Sequence, residues 1–108
     1  MSDTTNLNRS DISHMPKIEK DLIVVNKKGL HARPAALFVG LVEKFNVSVT
    51  LAKDEEKVNG KSIMGILMLG ATEGTVLKVT VEGEDAPVAM IEFEKFFNKQ
   101  EEELGLHE

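Results

Sequence analysis

Gly29-Leu30-His31-Ala32-Arg33-Pro34-Ala35-Ala36-Leu37-Phe38-Val39-Gly40-Leu41-Val42 reads as a turn that runs into a helix. Pro34 suits the first helical turn, where a missing N–H removes no hydrogen bond. Ala35, Phe38, Val39 and Val42 recur at i, i+3, i+4 and i+7, so one helix face is apolar and can lie on a sheet. The helical pattern extends to about Lys44. On the N-terminal side, Leu22-Ile23-Val24-Val25 is a short β-branched strand closed by Lys27-Lys28-Gly29. On the C-terminal side, residues 47–51 alternate as a second strand, Asp54-Glu55-Glu56 is a turn, and residues 57–60 form a weak third strand. Ser62 as N-cap and Gly70 past the end bracket a short apolar helix over 63–69. Residues 75–82 alternate again, with Leu77, Val79 and Val81 on one face. Asp85 can cap a last helix with Pro87 in its first turn; Val88, Ala89, Phe93, Phe96 and Phe97 form its apolar stripe. The order β-α-β-β-α-β-α predicts an α+β sandwich, a mostly antiparallel four-stranded sheet with three helices on one face.

The chain has 108 residues, enough for one domain with a thin core. Lys plus Arg number 13 and Asp plus Glu number 18, a net charge of −5. Nucleic acid and anionic membrane surfaces both demand a basic face, so neither is an expected partner. Cysteine is absent, which excludes disulfides, thiolate metal sites and thiol nucleophiles. No apolar run approaches the roughly 18 residues of a membrane span, and the polar start lacks the apolar centre of a signal peptide. A cytoplasmic protein is therefore expected. Residues 1–16 have little to bury and read as a disordered extension, 17–99 as the domain, and 100–108 as an acidic tail. His14 and His107 fall in those tails, so no three or four ligands converge; no metal and no cofactor are expected.

Two features exceed what such a fold needs. Ala36, Leu37, Gly40 and Leu41 are apolar on the sides of the first helix that do not face the sheet. The Ser62 helix repeats the excess: Ile66 and Leu69 suffice for the core, which leaves Ile63, Met64 and Leu67 over. Scattered exposed apolar residues are common, but adjacent Ile and Met also suit a surface that fits several partners. The second feature is His31, between a strand and a helix start. Amide groups at a helix start and the helix dipole favour an anion, and Arg33 adds a fork-shaped cation suited to phosphate. A neutral imidazole is nucleophilic. A phosphoryl group on His31 would meet the N–H groups of Ala32 and Arg33 and the Arg33 side chain. His31 acting as a mere cap or packing residue is the equally weighted alternative at this point.

Gly29-Leu30-His31-Ala32-Arg33-Pro34-Ala35 resembles the active-site signature of the HPr family, the histidine-containing phosphocarriers of the phosphoenolpyruvate-dependent sugar phosphotransferase system. Lys61-Ser62-Ile63-Met64-Gly65-Ile66-Leu67 is similar to the regulatory serine region of the same family, and the likeness spans about Lys20 to Phe97. The resemblance implies an open-faced β-sandwich of four antiparallel strands with three helices on one side. It implies that His31 accepts a phosphoryl group on Nδ1 from phospho-enzyme I and passes it to enzyme IIA domains. The protein is then a covalent phosphoryl carrier, expected as a monomer, and not a turnover enzyme on its own. Leu30, Ala36, Leu37, Gly40, Ile63, Met64 and Leu67 would form the docking surface, with Ala32 and Arg33 on the phosphate. Ser62 resembles the serine modified by HPr kinase/phosphorylase, a third partner.

Two alternatives stand beside the sugar carrier. One is the nitrogen-branch paralogue, a carrier with a signalling role. The other is a purely regulatory phosphoprotein that binds partners through phospho-Ser62; such paralogues lose the active-site histidine, and this chain keeps His31. Lys28, Gly40 and Glu43 depart from the family's usual residues beside the active loop and on the docking helix.

Overall fold

A computed structural model of the chain describes residues 15–100. The extension expected over 1–16 and the tail over 100–108 therefore lie outside the described residues, apart from Met15, Pro16 and Gln100. The elements in order are β1 (Lys17–Ile23), α1 (Ala32–Val42), β2 (Ser48–Lys53), β3 (Glu56–Asn59), α2 (Ile63–Leu69), β4 (Val76–Glu82) and α3 (Ala86–Phe97). The strands form one sheet in the order β1-β4-β2-β3, and every neighbouring pair is antiparallel. The fold is the α+β open-faced sandwich expected from the element order.

Alternation along β4 decides which sheet face is covered. Leu77, Val79 and Val81 are fully buried. They join Leu22 of β1 and Val49 and Leu51 of β2 in the core beneath the helices. The other face stays open and mostly polar, its shallow trough bordered by Lys17, Glu19, Asp21, Lys78, Thr80 and Glu82. Phe38 of α1 holds the helical layer together. Its ring centroid lies 5.1 Å from Phe93, 5.5 Å from Phe96 and 5.6 Å from Phe97 of α3. Tilted and edge-on rings at such spacings contribute beyond simple area burial.

The short helix α2 has the expected punctuation. Gly65 N–H donates to Ser62 Oγ at 2.9 Å, and Gly70 adopts the left-handed conformation with φ 62°. Four other expectations are corrected. The first strand runs over 17–23, not 22–25. Val24 has left the ladder and exchanges hydrogen bonds with Gly74 and Thr75. The polar run Lys-Ile-Glu-Lys-Asp is held as strand by its register with β4, which sets Lys17 opposite Glu82 and Asp21 opposite Lys78. Charges along this edge also discourage pairing with another chain.

Asp85 stands at the N-cap of α3, but its side chain does not cap that helix; Oδ2 accepts from Asn46 N–H at 2.8 Å instead. Val88 is exposed, and Met90 takes its place in the apolar stripe. The buried set Ala86, Ala89, Met90, Phe93, Phe96 and Phe97 follows the 3.6 period, which Val88 misses. Finally, α1 ends at Val42, two residues before Lys44. Lys44 and Phe45 N–H bond to Leu41 and Val42 carbonyls, an i→i−3 pattern that tightens the exit.

Candidate functional site

His31 is the N-cap of α1, with extended backbone at φ −86° and ψ −168°. Its side chain makes no capping hydrogen bond. The residue is half-buried, and the buried part includes Nε2, which is shielded from solvent. Ala35 N–H, donating to the His31 carbonyl at 3.0 Å, is the first amide bonded within the helix. The N–H groups of Ala32 and Arg33 precede it and belong to the helix start, while Pro34 brings none and is buried. No acidic residue lies in the first turn of α1, so nothing there offsets the partial positive charge of the helix end. Arg33 is exposed in that turn. His31, Ala32 and Arg33 thus stand together at one helix start.

The loop before His31 is shaped by backbone contacts. Leu30 N–H donates to the Ala71 carbonyl at 3.0 Å, and Gly29 N–H to the Asn26 carbonyl at 2.9 Å. Asn26 is buried and its Oδ1 accepts from Lys28 N–H at 3.0 Å. Gly29 has φ 72°, and a Cβ there would stand 2.5 Å from the Ala71 carbonyl oxygen. Only glycine allows both the left-handed turn and this close approach.

The apolar surface divides. Leu30 is buried in the core at 8% exposure, so its side chain anchors the loop and does not supply docking area. Ala36 and Gly40 are exposed and Leu37 is 39% exposed. They line an open groove between α1 and α3 that Lys44, Lys95 and Lys99 border. Ile63 and Met64 are exposed on α2, which packs on α1, whereas Leu67 is half-buried against the core. Met68 is more exposed than either at 73% and was not anticipated. Its position four residues after Met64, on the same helix face, was the available signal. Ser62, at the α2 N-cap, is half-buried; its Oγ accepts from Gly65 N–H, a bond that does not use the hydroxyl proton. Among the described residues no helix is long and apolar enough to cross a membrane.

Comparison with known proteins agrees with this geometry. Residues 18–99 match the family model described as the PTS HPr component phosphorylation site. A phosphocarrier protein HPr of Xylella fastidiosa is 43% identical over 83 residues, which covers 77% of this chain and 93% of that protein. The HPr-like protein Crh of Bacillus subtilis is 44% identical over 73 residues, 68% of this chain and 86% of the relative. A crystal structure of the phosphocarrier protein HPr from Bacillus anthracis superposes with a TM-score of 0.73 at 39% identity, covering 76% of this chain and 98% of that one. With four antiparallel strands in this order, a histidine at the start of α1 and these matches, the chain belongs to the HPr family of phosphotransferase-system phosphocarriers.

Proposed function

We propose that the protein carries a phosphoryl group on His31 Nδ1, taken from phospho-enzyme I and delivered to enzyme IIA domains in sugar uptake. The observation that carries this reading is the placement of His31: at the N-cap of α1, with Nε2 turned out of solvent and with Arg33 and two helix-start amides alongside. In the forward step, the Nδ1 lone pair attacks phosphorus as the bond from phosphorus to the donor's imidazole nitrogen breaks. The electron pair of that bond stays on the donor nitrogen. Transfer onward repeats the exchange with His31 as the leaving group. Helix amides and a guanidinium lower the charge on the phosphoryl oxygens in both directions. Because these groups sit at an exposed helix end, the phosphorus remains open to the next acceptor.

Ser62 is the proposed regulatory site, modified by HPr kinase/phosphorylase. A phosphate on Oγ would sit at the α2 N-terminus, where anions are tolerated, and would place about −2 charge beside Ile63 and Met64. Ser62→Asp is expected to weaken enzyme I binding several-fold while leaving the melting temperature within a few degrees, since Asp is itself a good N-cap. Titration calorimetry and thermal melting check this; equal affinity for both forms would remove the regulatory role. The monomer is the acting form in this reading, with β1 paired to β4 of the same chain. By contrast, the crystal structure of the Crh relative is described as a dimer with a swapping domain.

The test is a labelling experiment with two donors. Phosphoenolpyruvate with enzyme I is expected to place acid-labile phosphate on His31. ATP with the serine kinase is expected to place acid-stable phosphate on Ser62. Intact mass and site mapping read both arms. If neither donor labels the protein, a non-transferring binding module becomes the better account.

A further inference from the structure

Gln100, two residues beyond the C-cap of α3, reaches back to the loop that carries His31. Its Nε2 donates to the Val25 carbonyl at 2.8 Å, and its Oε1 accepts from Lys27 N–H at 3.4 Å. The ends of that loop are held by other contacts: Val24 by Gly74 and Thr75, and Leu30 by Ala71. Gln100 grips the middle. Its own base is firm, because Phe96 and Phe97 just before it are buried against Phe38 of α1. The loop is thereby tied to the same aromatic cluster that fixes the helix starting at His31.

We infer that Gln100 is a positioning residue, whose side-chain amide sets the loop over 24–30 and through it the stance of the His31 imidazole. The chemistry of the contact is specific to a carboxamide, which offers a donor to one backbone atom and an acceptor to the other. An ionised glutamate offers two acceptors and would repel the Val25 carbonyl. In phosphoryl transfer the protein contributes mainly by positioning and by stabilising charge, and small misplacements of the reacting group are costly. The exposed apolar residues proposed for docking, Ile63, Met64 and Met68 among them, stand on α2 and not in this loop. The inference rests on the proposal that His31 is the phosphoryl acceptor, and it predicts a loss in kcat without a matching change in KM.

The experiment uses the full chain and its Gln100→Ala and Gln100→Glu variants, with phosphoenolpyruvate and enzyme I as the donor system. Both variants are expected to lower kcat by about three- to tenfold, with KM for this protein within about twofold of wild type. Before any phosphorylation, the variants should shift the His31 ring-nitrogen resonances and speed hydrogen exchange at Lys27 N–H. Wild type that takes no label on His31 would overturn the carrier reading itself. Wild type that labels normally, with variants of equal kcat and unchanged His31 resonances, would overturn only the role of Gln100. A lower melting temperature alone, or Gln100→Glu that behaves as wild type while Gln100→Ala does not, would also overturn it, because either result assigns the residue to packing.

Discussion

His31→Ala is expected to accept no phosphoryl group from phospho-enzyme I, a complete loss and not a graded one. The reaction needs a nucleophilic nitrogen at the start of α1, and neither Arg33 nor the helix amides can form a bond to phosphorus. The fold should survive. The His31 side chain does not cap α1, and the first helical hydrogen bond uses the backbone carbonyl of residue 31, which alanine keeps. Thermal melting should therefore move by no more than about 1 kcal/mol of stability, the usual scale of N-cap substitutions. Acid-labile phosphate that persists in His31→Ala would place the acceptor elsewhere and dissolve the assignment.

Phe38→Ala is expected to cost about 3–5 kcal/mol, the range for deleting a large buried aromatic side chain. Few positions in the chain combine as much. Phe38 is 1% exposed and its ring contacts three others, two of which lead directly to Gln100. Small domains hold on the order of 5–15 kcal/mol in total, so this single change should bring the protein near its unfolding midpoint at physiological temperature. Urea unfolding at low temperature measures the loss. Phosphoryl acceptance should return as the variant is cooled or given a stabilising osmolyte, whereas the His31→Ala defect should not. A cost below about 1 kcal/mol would mean that Phe93, Phe96 and Phe97 collapse into the space, and that the helices do not depend on this ring.

What the sequence made legible follows from where tertiary structure overrides local pattern. The helix over 63–69 was readable because its signals are local: Ser62 caps it and Gly70 ends it. The helix start at His31 was readable for the same reason, since Gly29 and Pro34 mark the turn and the first helical residues. β1 was misplaced because the β-branched run at 22–25 looked more like a strand than the charged run before it. Pairing with a strand some sixty residues away, a partner no local window contains, outweighs that propensity. Asp85 failed as a side-chain cap because Asn46, distant in sequence, competes for its carboxylate. Leu30 looked like docking surface since it neighbours His31, yet its backbone bond to Ala71 turns the side chain into the core. Gln100 had no local signature at all; its partners precede it by 75 and 73 positions.

The pairing of β1 with β4 has a consequence for how the protein is made. Lys17 and Glu82 are cross-strand partners, 82 − 17 = 65 positions apart, and the loop before His31 is anchored on residues 71–75. Contacts this distant in sequence form late and slow the folding search. A chain still under synthesis can therefore expose His31 long before it possesses a site, because the strand and loop that shape it wait for the last third of the molecule. On the carrier role proposed above, the finished fold and the competence to hold a phosphoryl group arrive together, so a fragment left by stalled translation would present His31 without the anchored loop that shapes its surroundings.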